Sequence, residues 1–263
     1  MMAFMKHQQN ANRDLCGALP EILYEDNHVL VAVKPPGMPS QEDNSHAPDM
    51  LTILRKMLSD QLDGNKKAFL SLVHRLDRPA SGLMVFARSS KAASRLAEAF
   101  RSCNVGKEYL ARVRGMPGEK GLFCDFLSRK KDEKGRIAVF SEDDSEDKMR
   151  VRAELSWRCL AEDQKKNEAL LLIQLVTGRK HQIRAQFAAR GFPLLGDRRY
   201  GISDVRDLGV PTLALHACRL LFIHPVKKTG MVFTSSPAIN PSFTEEDVMH
   251  FESMLDKDTS IYL

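Results

Sequence analysis

The stretch that decides the reading is LVHRLDRPASGLMVFARSS, residues 72–90. One carboxylate, Asp77, stands among Arg75, Arg78 and Arg88, just before a Ser81-Gly82 pair and a long apolar run. A lone acid among bases is either a turn aspartate, capping its own backbone beside Arg75 or Arg78, or a reacting group. A kinase catalytic loop is excluded. The order here is His-Arg-Leu-Asp, no glycine-rich ATP loop precedes it, and Asp125-Phe126-Leu127 is not D-F-G.

Outward from this stretch, short strands dominate. Residues 71–76 predict a buried strand entering the Asp77 turn, and residues 82–89 a second strand. Ala92, Ala93, Leu96, Ala97 and Phe100 share one helical face, with Ser89 or Ser90 as N-cap. Upstream, residues 21–41 predict a hairpin turning at Glu25-Asp26-Asn27 and stopped by Pro35-Pro36-Gly37. A helix is expected over 48–62, then a GNKK loop at 64–67.

Downstream, KEYLARVRG (107–115) alternates, with Tyr109, Ala111 and Val113 on one side and charges mainly on the other, which predicts a half-buried strand. Residues 128–150 run basic, apolar, then acidic, and read as a protruding hairpin or mobile insertion. Strands are expected at 151–160, 168–176, 213–225 and 231–236, a helix at 178–191 stopped by Gly191, and a short frayed helix at the end. Many strands, few helices and no regular βαβ alternation predict an α+β fold on a largely antiparallel or mixed sheet.

Composition narrows the function classes. The 263 residues are 43% hydrophobic, enough for a full core. Lys plus Arg is 39 against 34 for Asp plus Glu; the net +5 permits a polyanion partner without requiring one. Cys16, Cys103, Cys124, Cys159 and Cys218 lie far apart without a C-x-x-C, against a zinc ribbon and in keeping with reduced cytosolic thiols. The first twenty residues hold no sustained apolar core, so no signal peptide is expected, and no apolar run reaches membrane-spanning length. A soluble cytoplasmic protein is expected. G-x-G-x-x-G and G-x-x-x-x-G-K-[ST] are both missing, so no nucleotide cofactor cradle is visible.

HRLDRPASGLMVFAR (74–88) closely resembles the H-R-L-D-x-x-[ST]-S-G signature of the RluA-type pseudouridine synthases. Residues 22–38 look like that family's opening hairpin, and KEYLARVRG is similar to its K-x-Y-x-A-x-V-x-G strand. TGRKHQIRAQFAARGFPLLGDRRYG (177–201) resembles its T-G-R-x-H-Q-[IL]-R…G-D-x-x-Y-G segment, and LALHACRLLFIHP (213–225) its late strand. The resemblance spans about residues 20–237.

It implies the pseudouridine synthase catalytic domain: a long mixed, mostly antiparallel sheet flanked by helices and loops, with a central cleft. It also implies a cofactor-free, metal-free isomerase that converts uridine in structured ribosomal or transfer RNA to its C-glycoside. The family's catalytic aspartate maps onto Asp77, its partner arginine onto Arg184 and its active-site tyrosine onto Tyr109. Arg75 maps onto the arginine that occupies the gap left by a flipped base, and Ile183 onto an apolar residue of the uracil pocket. His181 and Gln182 read as hydrogen-bonding support. Lys34, Arg78, Arg88, Arg179, Lys180, Arg198 and Arg199 are candidate backbone contacts, and Asp197 is expected to order a loop.

Two positions depart from the pattern: Ala80 where Thr is frequent, and Gln186 where His is usual. The acidic run at 141–147 is expected to point away from RNA. The domain division expected is a tail at 1–19, the catalytic domain at 20–237 and a C-terminal tail with a short helix at 238–263. No N-terminal S4 RNA-binding domain is expected, and a monomer is assumed. Two other readings stay open at this point: an RNA-binding relative without activity, and an unrelated hydrolase using Asp77 with a histidine.

Overall fold

The computed structural model describes residues 19–62, 67–141, 148–201 and 209–258. The expected N-terminal tail before residue 19, most of the GNKK loop and most of the acidic run lie outside the described residues. Among the described residues eleven strands form one sheet. β1 (Glu21–Glu25) and β2 (Val29–Lys34) make the opening hairpin; β3 (Ser71–Leu72) and β4 (Ser81–Ala87) flank the Asp77 turn. β5 (Gly106–Arg114), β6 (Lys120–Lys131), β7 (Ile137–Phe140), β8 (Arg150–Asp163) and β9 (Glu168–Leu175) follow, then β10 (Leu215–Ile223) and β11 (Gly230–Thr234). The order is β1-β2-β4-β10-β5-β9-β8-β6-β7, with β3 paired to β4 and β11 to β10. Among the described residues only β4 and β10 pair in parallel, so the sheet is mixed and mostly antiparallel as expected.

β2 and β4 read as unbroken apolar runs because both faces of the sheet are covered there. Leu30, Ala32, Met84 and Phe86 join one core with α1 (Met50–Ser59); Val29, Val31, Leu83 and Val85 join another with α2 (Ser90–Arg101). Asp49 and Ser89 cap these helices by accepting from Thr52 and Ala92 N–H.

Four expectations change. Beyond Leu72 the chain leaves the ladder, so residues 73–76 are an extended loop and not a strand. The helix expected from 178 begins at Gln182 (α3, Gln182–Ala189), because His181 takes a left-handed φ of 56° that ends helical continuity. β5 is buried on both faces: Tyr109, Ala111 and Val113 face one core, while Leu110 packs with Phe251 and Met254 of α4 (Glu245–Asp258). Its Arg112 is paired, donating to Asp247 at 3.0 Å and to Glu168 at 2.9 Å. The C-terminal helix thus covers part of the sheet's second face, over β5 and β9. Finally, the hairpin at 128–141 packs against the body: Leu127, Ile137 and Ala153 share a cluster with Ala185 of α3.

Candidate active site

The Asp77 turn is tied down on every side. Ser40 Oγ donates to Leu76 O and accepts from Leu76 N–H. Asp77 O accepts from Ala80 N–H, closing the turn. Lys34 Nζ donates to the carbonyls of Pro35, Met38 and Arg78 at 2.7–3.0 Å. Burial pulls this lysine down to about 7, yet three acceptors take all three protons and hold the ammonium. Lys34 is wholly buried, so its expected role as a backbone contact is corrected: it braces the loop beneath Asp77.

Ser81 and Gly82 explain why the turn is followed by that pair. Ser81 Oγ lies 2.9 Å from His216 Nδ1 and accepts from Asn240 Nδ2 at 3.0 Å, while His216 Nε2 meets Ser235 O at 3.1 Å. The serine and histidine are sealed from solvent, so this pair staples β4 to β10 and is no nucleophile. Gly82 has φ +112°, and a Cβ there would collide with the Ala217 backbone. The parallel crossing that places Asp77 needs a glycine.

From α3, Arg184 reaches the turn. Its Nη1 donates to Asp77 Oδ2 at 2.8 Å; its Nε and Nη2 fork onto Asp197 at 2.7 and 2.8 Å. Asp197 also accepts from the Arg199 and Tyr200 N–H groups, so it orders the loop as expected and orients the guanidinium as well. Burial opposes the charge on Arg184, but the two carboxylates outweigh it and raise its pKa. The Arg184 guanidinium in turn holds Asp197 below the usual carboxylate range against its own burial. Asp77, with a side chain 23% exposed, thus meets a fixed cation on one side and open space on the other.

A relay fixes the neighbouring histidine. Tyr200 OH accepts from Ile137 N–H at 2.7 Å and so donates to His181 Nδ1 at 2.9 Å. That leaves His181 Nε2–H facing Asp77 Oδ1 across 3.8 Å. Burial pulls His181 down to about 4, so the imidazole is neutral near pH 7 and the hydrogen-bonded countercharge to Asp77 is Arg184. Tyr109 stands on β5 in the same cleft; burial, with Asp77 adding to it, pushes its phenol well above the ordinary value and keeps it protonated.

Asp77, Tyr109, His181 and Arg184 line one cleft of about 1120 Å³. Its lining holds ten Lys or Arg residues against three Asp or Glu, a bias suited to a polyanion. Arg75, Arg78, Arg179, Lys180, Arg198 and Arg199 all line it. Arg88 does not: it pairs with Glu25 at 2.7 Å and with Asp26 O, holding the opening hairpin. Ile183 is buried in the main core and stays out of the lining. Gln182 is also buried, bonding Thr177 Oγ1, Arg179 N–H and Glu154 O, and so shapes the loop without reaching the cleft. Gln186 donates to Asp125 and Ala153 O away from the cleft, beside the Arg190–Asp125 pair, so its position calls for hydrogen bonding and not titration. Asp197 as a clamp, Tyr200, and Lys107 in the lining were missed; the partners of Asp197 and Tyr200 sit on other elements, and Lys107 reads as part of a strand.

A sequence profile described as RNA pseudouridylate synthase matches residues 28–189. The chain belongs to the RluA-type RNA pseudouridine synthases. It is 30% identical to the dual-specificity RNA pseudouridine synthase RluA of Escherichia coli K12, covering 81% of this chain and 90% of that one. It is 33% identical to the tRNA pseudouridine synthase C of Pasteurella multocida, covering 78% and 86%. It is likewise 33% identical to the ribosomal large subunit pseudouridine synthase D of Zymomonas mobilis, covering 78% of this chain and 65% of that relative. The fold is that of the human RNA pseudouridylate synthase domain containing 4, with a TM-score of 0.67, 21% identity, and 89% and 93% of the chains covered. Such synthases are isomerases acting on RNA, and no helix among the described residues is long and apolar enough to cross a membrane.

Proposed function

We propose that this synthase isomerises uridine in structured ribosomal or transfer RNA by an Asp77-dependent, cofactor-free route, acting as a cytoplasmic monomer. The observation that carries this reading is the Asp77–Arg184 contact at 2.8 Å, in the cleft that Tyr109 also lines. The cleft takes one flipped uridine, Arg75 fills the space it leaves, and the ring stacks on Tyr109. Asp77, hydrogen-bonded to Arg184, acts as nucleophile or base while N1–C1′ breaks. The uracil turns, C5 bonds to C1′, the C5 proton leaves and N1 gains one, so nothing is oxidised and no atom is added. The protonated Tyr109 hydroxyl serves the late proton movement at C5. Arg179, Lys180, Arg198 and Arg199 hold the backbone.

The test is to incubate the purified protein with total RNA and map new pseudouridines. Asp77→Asn should abolish turnover while keeping the fold and RNA affinity. Retention of a tenth of the activity removes Asp77 from its role. Turnover that stops on addition of a chelator would sink the metal-free route. RNA binding with no new pseudouridine under any condition would favour a binder without activity.

A further inference from the structure

Lys107 is 6% exposed, yet its ammonium carries no hydrogen bond or ion pair among the described residues, and it lines the cleft. It lies on the same face of β5 as Tyr109, two residues away and therefore about 7 Å along the strand. A Cβ at Gly178, in the loop leading to α3, would come within 3.5 Å of its ammonium. A largely desolvated cation that opens only onto a cleft is placed to receive an anion there.

The groups acting on that ammonium include no carboxylate. Burial lowers its pKa, the Cys103 thiol works the other way, and the Arg179 guanidinium adds to the lowering. Arg179 is itself anchored, its Nε donating to Arg152 O at 3.0 Å and its N–H to Gln182 Oε1 at 2.9 Å. A free ammonium and an anchored guanidinium thus face the same part of the cleft, which Phe100 and Cys103 also line, and among the described residues no carboxylate is paired with either. Arg101 lines the same cleft but is paired with Glu98, so it is not counted here.

We infer that Lys107 and Arg179 form a subsite for one phosphodiester of the RNA strand, that of the flipped uridine or its immediate neighbour. This rests on the proposed function: with a uracil on Tyr109, a separation of one strand step is what a single nucleotide bridges between its base and its backbone. The subsite sets how deeply the nucleotide seats over Asp77, in addition to adding affinity.

The probe is a stem–loop RNA with one loop uridine, its affinity measured against salt concentration. Lys107→Met should weaken binding about tenfold at low salt and make the slope of log affinity against log salt shallower by about 0.7, the share of one single-stranded phosphate. Lys107→Arg should restore the slope. A folded Lys107→Met protein with wild-type slope and affinity overturns the subsite.

A second measurement needs no variant. Neutral methylphosphonate linkages placed one at a time on either side of the loop uridine should include one that costs wild-type protein the same tenfold and the same slope. If neither flanking linkage does so, the inference fails. If total RNA gains no pseudouridine while both binding results hold, the functional reading fails and the subsite stands as a phosphate site. If pseudouridine forms and the slope is unmoved, the subsite alone falls.

Discussion

At the scale of single residues, the arrangement turns on how one guanidinium is shared. Arg184 spends two of its nitrogens on Asp197 and one on Asp77, so the buried acid decides where the third points. Asp197→Asn would put amide protons against guanidinium protons. We expect turnover to fall about a hundredfold through misplacement of the Asp77 partner, with KM changed much less. Stability should drop by about 3 kcal/mol for breaking a buried pair. Single-turnover kinetics beside urea denaturation would show both; activity within tenfold of wild type would overturn the clamp. This scale was only partly legible in the sequence. Asp77 and Arg184 are 107 positions apart, and their meeting came from motif resemblance, since no spacing rule connects them. Asp197 read as a loop acid because its second job depends on α3 crossing the loop. Lys107 hid in an alternation that put charges on the far face of β5, although its own position shares the face of Tyr109.

Among elements, the parallel contact of β4 with β10 is the joint that carries the Asp77 turn. Its tightness rests on Gly82 against Ala217 and on the sealed Ser81–His216 staple. Gly82→Ala adds a Cβ at a φ that side chains rarely adopt and drives it into backbone. The expected cost is at least about 2 kcal/mol, strain and overpacking together. Activity should be lost even in the folded fraction, because β4 cannot move without moving the turn. Thermal melts with activity of the folded protein check this, and a variant melting within a degree or two of wild type with full turnover would refute it. The strands themselves were readable, since runs such as residues 82–87 can only be buried. The starts and stops were less so. His181 looks helical by its neighbours, and only the Tyr200 and Asp77 side chains around its ring explain its left-handed backbone. The two-sided burial of β5 needed α4, whose Asp247 and Phe251 meet a strand more than 130 residues earlier.

Across the whole molecule, several imidazoles are held neutral by separate environments, and together they set how the fold answers to acid. Burial is the first cause in each. It pulls His74 down to about 3, where Nε2 accepts from Val85 N–H and the ring stacks on Phe100 at 4.4 Å. It pulls His216 down to about 4, where Nδ1 takes the Ser81 proton. His181 moves the same way. In the unfolded chain a histidine gains its proton near pH 6.5, so between that value and the folded one the unfolded state binds more protons. Stability is therefore full above about pH 7 and falls as pH drops through 6 and 5, by up to about 1.4 kcal/mol per pH unit for each fully buried ring. Below about pH 4 the source of the loss changes: His181 and His216 are then taking up protons in the folded state too, while Asp197, held low by Arg184 against its own burial, begins to protonate in the unfolded state first. Urea midpoints at pH 7.5, 6.5, 5.5 and 4.5 should decline across the series. His216→Gln keeps a neutral hydrogen-bonding group; it should start lower and decline less steeply. Equal midpoints from pH 7.5 to 5 would mean that these rings take up protons as readily folded as unfolded, and a variant as steep as wild type would mean the same of His216. The Ser81 staple beneath the Asp77 turn would then have to be built with its protons the other way round.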